Sequence, residues 1–281
     1  IRCTFVFRTK IQKRFMNRVF YALMSVLAFA SCASSYNIKG SSNVSTLDGH
    51  KLYLKIIADE ELKNIDSCDV VLGQFLFAGT VDSTCMANIY MDQVSLLPIV
   101  LEKGDIVVHL DNTQQSIGGT PLNDRLNIFM RSFDQLQNES ADLVHKHDQA
   151  IMDGSDMDMV TRQLIAQDEK ITRQMDELLT QFVTDNFDNV LGPGVFMMIT
   201  SGYEVPVFTP WIEDILSKAS DQFKNDPYVK AYCDAAQHNQ HVMNGMEDVP
   251  SMTAAPGTIA GSPAALPTPN QLAGDSFKIK K

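Results

Sequence analysis

Between residues 36 and 119 short runs of alternating apolar and polar residues follow one another, a pattern typical of β-strands. The alternation is clear at Leu52, Leu54 and Ile56. Later runs contain Phe75 and Phe77; Ala87, Ile89 and Met91; residues 97–101; and residues 106–110. Turn signals separate the runs: Asp48-Gly49, Asp66-Ser67, Ala78-Gly79, Lys103-Gly104-Asp105 and Gly118-Gly119. Roughly six to eight short strands at this spacing predict an antiparallel β-sandwich or barrel. Because Pro98 lies inside a run, its strand is expected at a sheet edge, or to begin at the proline.

After Gly119 the apolar period changes to three and four residues, which indicates amphipathic helices. The first stripe is Leu122, Leu126, Phe129, Phe133, Leu136 and Leu143, and the second is Val160, Leu164, Ile171, Met175, Leu178 and Phe182. A turn at residues 152–155 joins them, which predicts an antiparallel helical hairpin. The predicted fold class is therefore α+β, with an N-terminal antiparallel β-sandwich followed by a helical hairpin and shorter helices.

Two shorter helices are predicted after the hairpin. Residues 191–194 (Leu-Gly-Pro-Gly) should end the second long helix. Thr209-Pro210 and Asp226-Pro227 should then begin the shorter ones, because each pair places a capping side chain before a proline.

Composition divides the chain into four parts. We expect a leader at residues 1–31, a β-sandwich domain at 32–120 and a helical region at 121–246. Residues 247–281 should form a flexible tail, because they are rich in Pro, Ala and Gly and keep no apolar period.

The leader has the pattern of an export signal. Residues 1–31 contain six Lys or Arg and no Asp or Glu, and residues 19–30 are mostly apolar. An apolar run of about 12 residues is too short for a spanning helix, which needs about 20. Translation is expected to begin at Met16, with a longer basic segment upstream as the alternative.

The junction after the apolar run, Leu-Ala-Phe-Ala-Ser-Cys at residues 27–32, resembles the lipobox of bacterial lipoproteins. This resemblance implies that Cys32 receives a diacylglyceryl group and that the peptidase cuts before it, so that acyl chains anchor the protein in a membrane. An ordinary cleaved signal with a chance cysteine is the alternative. In lipoproteins of this kind an Asp after the cysteine is the usual signal for retention in the inner membrane. Ala33 follows Cys32 here, so the resemblance implies the periplasmic face of the outer membrane as the location.

The charge balance of the chain restricts the class of partner that it can bind. Without residues 1–31 the chain has 17 basic against 34 acidic residues, which disfavours nucleic acid as a partner. The membrane should therefore be contacted through the lipid anchor.

Cys68, Cys85 and Cys233 are expected to be small buried thiols, with a Cys68–Cys85 disulfide as the alternative in an exported protein.

Four histidines were considered as metal ligands. His145 and His147 are two residues apart on a predicted helix, so they should lie on different faces. His238 and His241 have the three-residue spacing of a helical metal pair, but no third ligand is evident beside them. Solvated histidines are the preferred interpretation.

An acidic segment between the two long helices resembles part of a calcium loop. It contains Asp153, Asp156 and Asp158 around Gly154, but no Glu closes a loop of about 12 residues. An acidic turn is therefore predicted here. The sequence identifies no catalytic, cofactor-binding or metal-binding residue, and Cys32 is the one modification site predicted.

Six segments of the first 125 residues carry a family resemblance: residues 36–40 (Tyr-Asn-Ile-Lys-Gly), 51–54 (Lys-Leu-Tyr-Leu), 65–67, 73–79, 98–105 and 119–124. In order and spacing they resemble a domain of unknown function at the N-terminus of envelope lipoproteins that end in a thioredoxin-like or peroxiredoxin-like domain. The resemblance implies a scaffold without catalytic residues. Those relatives use a C-x-x-C pair for thiol–disulfide chemistry, and this sequence contains none.

We therefore expect a lipid-anchored envelope lipoprotein of unknown molecular function, acting as a non-catalytic accessory or binding protein. Its partner would be a protein or a small molecule that the sequence does not name. One alternative is a truncated thioredoxin-like oxidoreductase that has lost its catalytic domain. Another is an enzyme whose site the sequence does not reveal.

Overall fold

The computed structural model describes residues 34–58, 61–112 and 114–244. Its strands are β1 (Ser34–Ser42), β2 (Lys51–Ala58), β3 (Glu61–Asp69), β4 (Gln74–Val81), β5 (Cys85–Met91), β6 (Val94–Leu101), β7 (Gly104–Leu110) and β8 (Gln115–Gly118). A short 3-10 helix lies at Ser45–Leu47. The α-helices are α1 (Pro121–Met152), α2 (Met157–Thr184), α3 (Leu191–Thr200), α4 (Pro210–Lys218), α5 (Asp221–Lys224) and α6 (Pro227–Met243). The predicted α+β fold class is confirmed.

The strands form two four-stranded sheets. Sheet 1 has the order β4-β1-β7-β8, and sheet 2 has the order β3-β2-β5-β6. One pair departs from the predicted antiparallel arrangement, because β1 and β7 run parallel, with Tyr36 opposite Gly104 and Ser42 opposite Leu110. All the strands of sheet 2 lie between β1 and β7 in sequence. The alternation of apolar residues is the same in parallel and antiparallel strands. The sequence therefore did not reveal that β1 and β7 are parallel.

Alternate side chains of both sheets point into one shared core. Ile38 and Ile106 of sheet 1 and Leu52, Leu54 and Ile89 of sheet 2 are completely buried and belong to the same apolar cluster. A period of two places every second side chain on one face of a strand, which is why the alternation predicted these strands.

Two of the predicted turns are wrong. Asp66-Ser67 lies inside β3, and Ala78-Gly79 lies inside β4. Edge strand β3 was missed because its side chains are mostly polar and exposed, so it shows no apolar alternation. Gly79 serves close packing rather than a turn, since a Cβ there would lie 2.6 Å from the Tyr36 hydroxyl oxygen.

The strand that contains Pro98 is confirmed as an edge strand, because β6 ends the order of sheet 2. Helix α1 closes part of this edge through one side chain. Asn123 Oδ1 accepts a hydrogen bond from the Val100 N–H at 2.9 Å, and Asn123 Nδ2 donates to the Val100 carbonyl oxygen at 2.8 Å. The amide therefore pairs with the strand as a neighbouring backbone would.

Helices α1 and α2 form the predicted hairpin. Near the sandwich, the rings of Phe129 and Phe182 pack with centroids 4.4 Å apart. In the half farther from the sandwich, Leu143 and Ile171 are buried. The side chains of the predicted apolar stripes therefore pack in the hairpin. Most of the buried ones lie at the end nearest the sheets.

The segment after the hairpin differs from the prediction. Residues 191–194 begin α3 instead of ending α2, which stops at Thr184. The glycines of this segment permit close approach: a Cβ on Gly192 would lie 2.5 Å from the Asn186 carbonyl oxygen, and one on Gly194 would lie 2.4 Å from Met86 Cγ. Helix α3 therefore packs closely against sheet 2.

The two predicted proline starts are confirmed at α4 and α6, and the short helix α5 lies between them. Their caps differ. Asp226 accepts hydrogen bonds from the backbone N–H groups of Tyr228 and Val229. Thr209 makes no side-chain capping bond, so its predicted capping role is wrong.

Candidate binding groove

A groove of about 350 Å³ lies between sheet 2 and the helices α3 and α6. The sheet side is formed by Ile57, Thr84, Cys85, Met86 and Asn88, and the helix side by Val190, Pro193, Gly194, Met197, Asp226, Pro227, Tyr228 and Ala231. We call this the sheet–helix groove. Residues from four separate segments of the chain meet in it.

Strand alternation explains the sheet side. Ala87 and Ile89 are buried in the core between the sheets. Met86 and Asn88 therefore point to the opposite face of β5, where the helices lie. Gly194 contacts Met86 there, so the missing side chain sets the distance between α3 and the sheet.

The N-terminal turns of α6 form the other wall. Asp226 holds the start of the helix, with Oδ1 at 3.0 Å from Tyr228 N and 3.2 Å from Val229 N. One and two residues into the helix, Pro227 and Tyr228 face the groove, and Ala231 follows one turn later. The helix cap thus places one carboxylate and one aromatic ring beside the apolar side chains.

The hydroxyl of Tyr228 has a defined hydrogen-bond role. It lies 3.0 Å from Thr200 Oγ1, which itself donates to the Phe196 carbonyl oxygen at 2.7 Å. The two hydroxyls therefore share one hydrogen bond, in which either oxygen can be the donor. Burial raises the pKa of Tyr228 above its ordinary value.

The three described cysteines are free thiols, each half-buried, as the preferred interpretation predicted. The alternative Cys68–Cys85 disulfide is not formed. Burial raises the pKa of Cys85, beside the groove, and raises the pKa values of Cys68 and Cys233 to about 11. Few thiolates exist at neutral pH under these conditions, so none of the three is primed as a nucleophile.

The histidines considered from the sequence lie on helices. His145 is exposed on α1, and His147 lies 3.5 Å from the carboxylate of its neighbour Asp148. His238 and His241 are half-buried near the end of α6. Within residues 34–58, 61–112 and 114–244, no group of three or more His, Cys, Asp or Glu is arranged to hold a metal ion.

The acidic segment forms the turn of the hairpin, as predicted. Asp156 caps α2, because its Oδ1 accepts from the backbone N–H groups of Asp158 and Met159 at 3.1 and 3.3 Å. Gly154 has a φ of 66°, which suits the tight turn between the helices. The carboxylate of Asp156 therefore has a structural role at the start of α2.

A second groove, also of about 350 Å³, lies between α1 and α2. Charged residues of both signs line it, among them Glu139, Asp142, Lys146 and Lys170, and all four are exposed. Such an open, charged surface offers little apolar area to a ligand. The sheet–helix groove is the stronger candidate for a binding site.

The predicted lipid-attachment residue Cys32 lies outside the described residues, as does the predicted tail. In the part of the chain that the structure covers, no helix has both the length and the apolar character to cross a bilayer.

Sequence reasoning did not identify the groove. Asp226 was recognised as a helix cap, but Met86, Asn88 and Tyr228 carried no signal of their own. Met86 and Asn88 lie about 140 positions before Tyr228 in the sequence, and no pattern of local spacing links the two sites. Only the packing of α3 and α6 on sheet 2 brings them together.

One part of the chain matches a known protein family. A family model described as a domain of unknown function (DUF4369) matches residues 36–126, which confirms the resemblance predicted from the sequence. The match covers both sheets and the first turns of α1, whereas α3 and α6 lie beyond it. No curated protein and no solved structure matches the chain.

Proposed function

We propose that the protein is a non-catalytic, lipid-anchored binding protein of the cell envelope that holds a small molecule with an apolar body in the sheet–helix groove. The observation that carries this proposal is the groove itself. Its volume of about 350 Å³ lies in the range typical of small-molecule sites. Apolar side chains dominate the lining and a few polar groups stand among them, which is the usual composition of such sites.

The state of the polar groups supports binding rather than catalysis. The pKa of the Cys85 thiol is raised by burial, which disfavours the nucleophilic thiolate. Asp226 is engaged as a helix cap, and the hydroxyl of Tyr228 is hydrogen-bonded to that of Thr200. These groups are suited to orienting a ligand.

The location in the envelope is proposed from the leader. The basic and apolar segments before Cys32, and the lipobox that contains it, support lipid attachment there. Beyond the leader the chain is strongly acidic, so anionic lipid headgroups would repel it. The acyl chains would then supply the attraction to the membrane, which we place at the periplasmic face of the outer membrane.

Filling the groove should abolish ligand binding. We expect the neutral apolar dye N-phenyl-1-naphthylamine to fluoresce on binding to the wild-type protein, and Ala231→Trp to remove most of this signal because the indole occupies the groove. The matched control is Ala141→Trp, at an exposed position of α1 outside the groove. Equal dye binding by both variants, at unchanged thermal stability, would show that the groove is not the site.

Removing the anchoring thiol should release the protein from membranes. In cells given labelled fatty acid, we expect the wild type to carry label and sediment with membranes, and Cys32→Ser to lose both properties. Cys233→Ser is the control, since it removes a thiol of the folded part. Label on the Cys32→Ser protein would disprove attachment at this residue.

A further inference from the structure

We infer that the ligand of the sheet–helix groove carries a cationic amine, which pairs with Asp226 while its apolar body lies between Met86 and Met197. This inference rests on the proposed function and adds the chemical class of the ligand. It comes from the charge of the lining, the unused hydrogen-bonding capacity of two side chains and the charge of the whole chain.

Asp226 is the charged residue of the lining, and no Lys, Arg or His lines the groove with it. Both of its capping hydrogen bonds end on Oδ1, so Oδ2 keeps its lone pairs for a donor from a ligand. The positive end of a helix dipole amounts to about half an elementary charge. A full carboxylate charge at the start of α6 exceeds it, so this wall of the groove stays negative.

Tyr228 adds a second acceptor. Its hydroxyl is hydrogen-bonded to that of Thr200, and its oxygen keeps a lone pair that can accept a hydrogen bond from a ligand. Its aromatic ring also attracts cations through the negative face of the π-system. An ammonium group brings three donors and a positive charge, which suits a carboxylate oxygen, a hydroxyl oxygen and a ring together.

Lys55 lies on the same face of sheet 2, directly across from Asn88 in the β2–β5 register. Its Nζ lies 4.6 Å from the centroid of the Tyr90 ring and 5.6 Å from that of Tyr53. The ammonium is therefore held over these two rings instead of neutralising Asp226. The net charge of −11 for the whole chain also draws cations towards the surface.

The test compares three naphthalene compounds that share one apolar body: 2-(1-naphthyl)ethylammonium, 2-(1-naphthyl)ethanol and 3-(1-naphthyl)propanoate. Each displaces bound N-phenyl-1-naphthylamine from the purified protein at pH 7. We expect the ammonium compound to displace the dye at about tenfold lower concentration than the alcohol, and the carboxylate to be the weakest. Added salt should reduce the advantage of the ammonium compound.

Asp226→Asn is the matched variant, because asparagine retains the capping oxygen and removes the charge. In it the ammonium compound should lose its advantage while the alcohol binds as before; Asp226→Ser, also a good cap, provides a second uncharged variant. Equal displacement by the ammonium compound and the alcohol in the wild type would overturn the cationic ligand and leave the binding function standing. Failure of the dye and all three compounds to bind would overturn both.

Discussion

Replacing Asn123 by alanine is expected to lower the free energy of unfolding by about 2–4 kcal/mol. Asn123 is completely buried, and its amide bonds to both the N–H and the carbonyl oxygen of Val100 and donates to Thr120 Oγ1. Alanine would leave both backbone groups of Val100 without a partner where water does not reach. An unsatisfied buried polar group costs its full desolvation penalty, which is larger than the net gain from an ordinary hydrogen bond.

Urea denaturation followed by circular dichroism measures this effect. The control is Asn127→Ala, on the same helix, because Asn127 Oδ1 accepts one hydrogen bond, from Ile117 N at 3.2 Å, at a half-buried position. Its loss should cost about 1 kcal/mol or less. If both variants unfold at the same urea concentration, the pairing of Asn123 with the β6 edge does not contribute as described.

Phe196→Ala should have an effect of about 3–5 kcal/mol, the range for removing a completely buried aromatic ring. Phe196 is 0% exposed, and its ring lies between 5.3 and 6.4 Å, centroid to centroid, from those of Trp211, Phe223, Tyr228 and Tyr232. Three other helices, α4, α5 and α6, thus meet α3 at this one side chain. A cavity here would loosen α3, which carries Gly194 and Met197 of the groove, so dye binding should weaken as well.

The comparison for this prediction is Ile128→Ala on α1, where the side chain is 68% exposed and the expected change is within about 0.5 kcal/mol. Thermal unfolding and near-ultraviolet circular dichroism would be recorded for both variants, since the second reports the packing of Trp211 and the tyrosines. A Phe196→Ala protein with wild-type stability and spectrum would show that the aromatic cluster does not hold the helices together.

Long periodic segments were predictable because burial repeats with the geometry of the backbone. Leu52, Leu54 and Ile89 alternate because one face of each strand meets the core, and the stripe from Leu122 to Phe133 follows from the pitch of a helix. Strand β3 escaped prediction because an exposed edge strand needs no apolar alternation. The Leu-Gly-Pro-Gly segment was misread as a helix end because glycine has a second use, at close contacts such as that between Gly194 and Met86.

The sequence by itself determined the α+β class, the helical hairpin and the family resemblance of residues 36–126, because each rests on local periodicity or on the order of short segments. Only the tertiary structure decided the parallel pairing of β1 and β7, the role of Asn123 at the β6 edge and the groove at Asp226. All three are contacts between residues far apart in the chain. Their geometry follows from how the sheets and helices pack, and that packing leaves no periodic trace along the sequence.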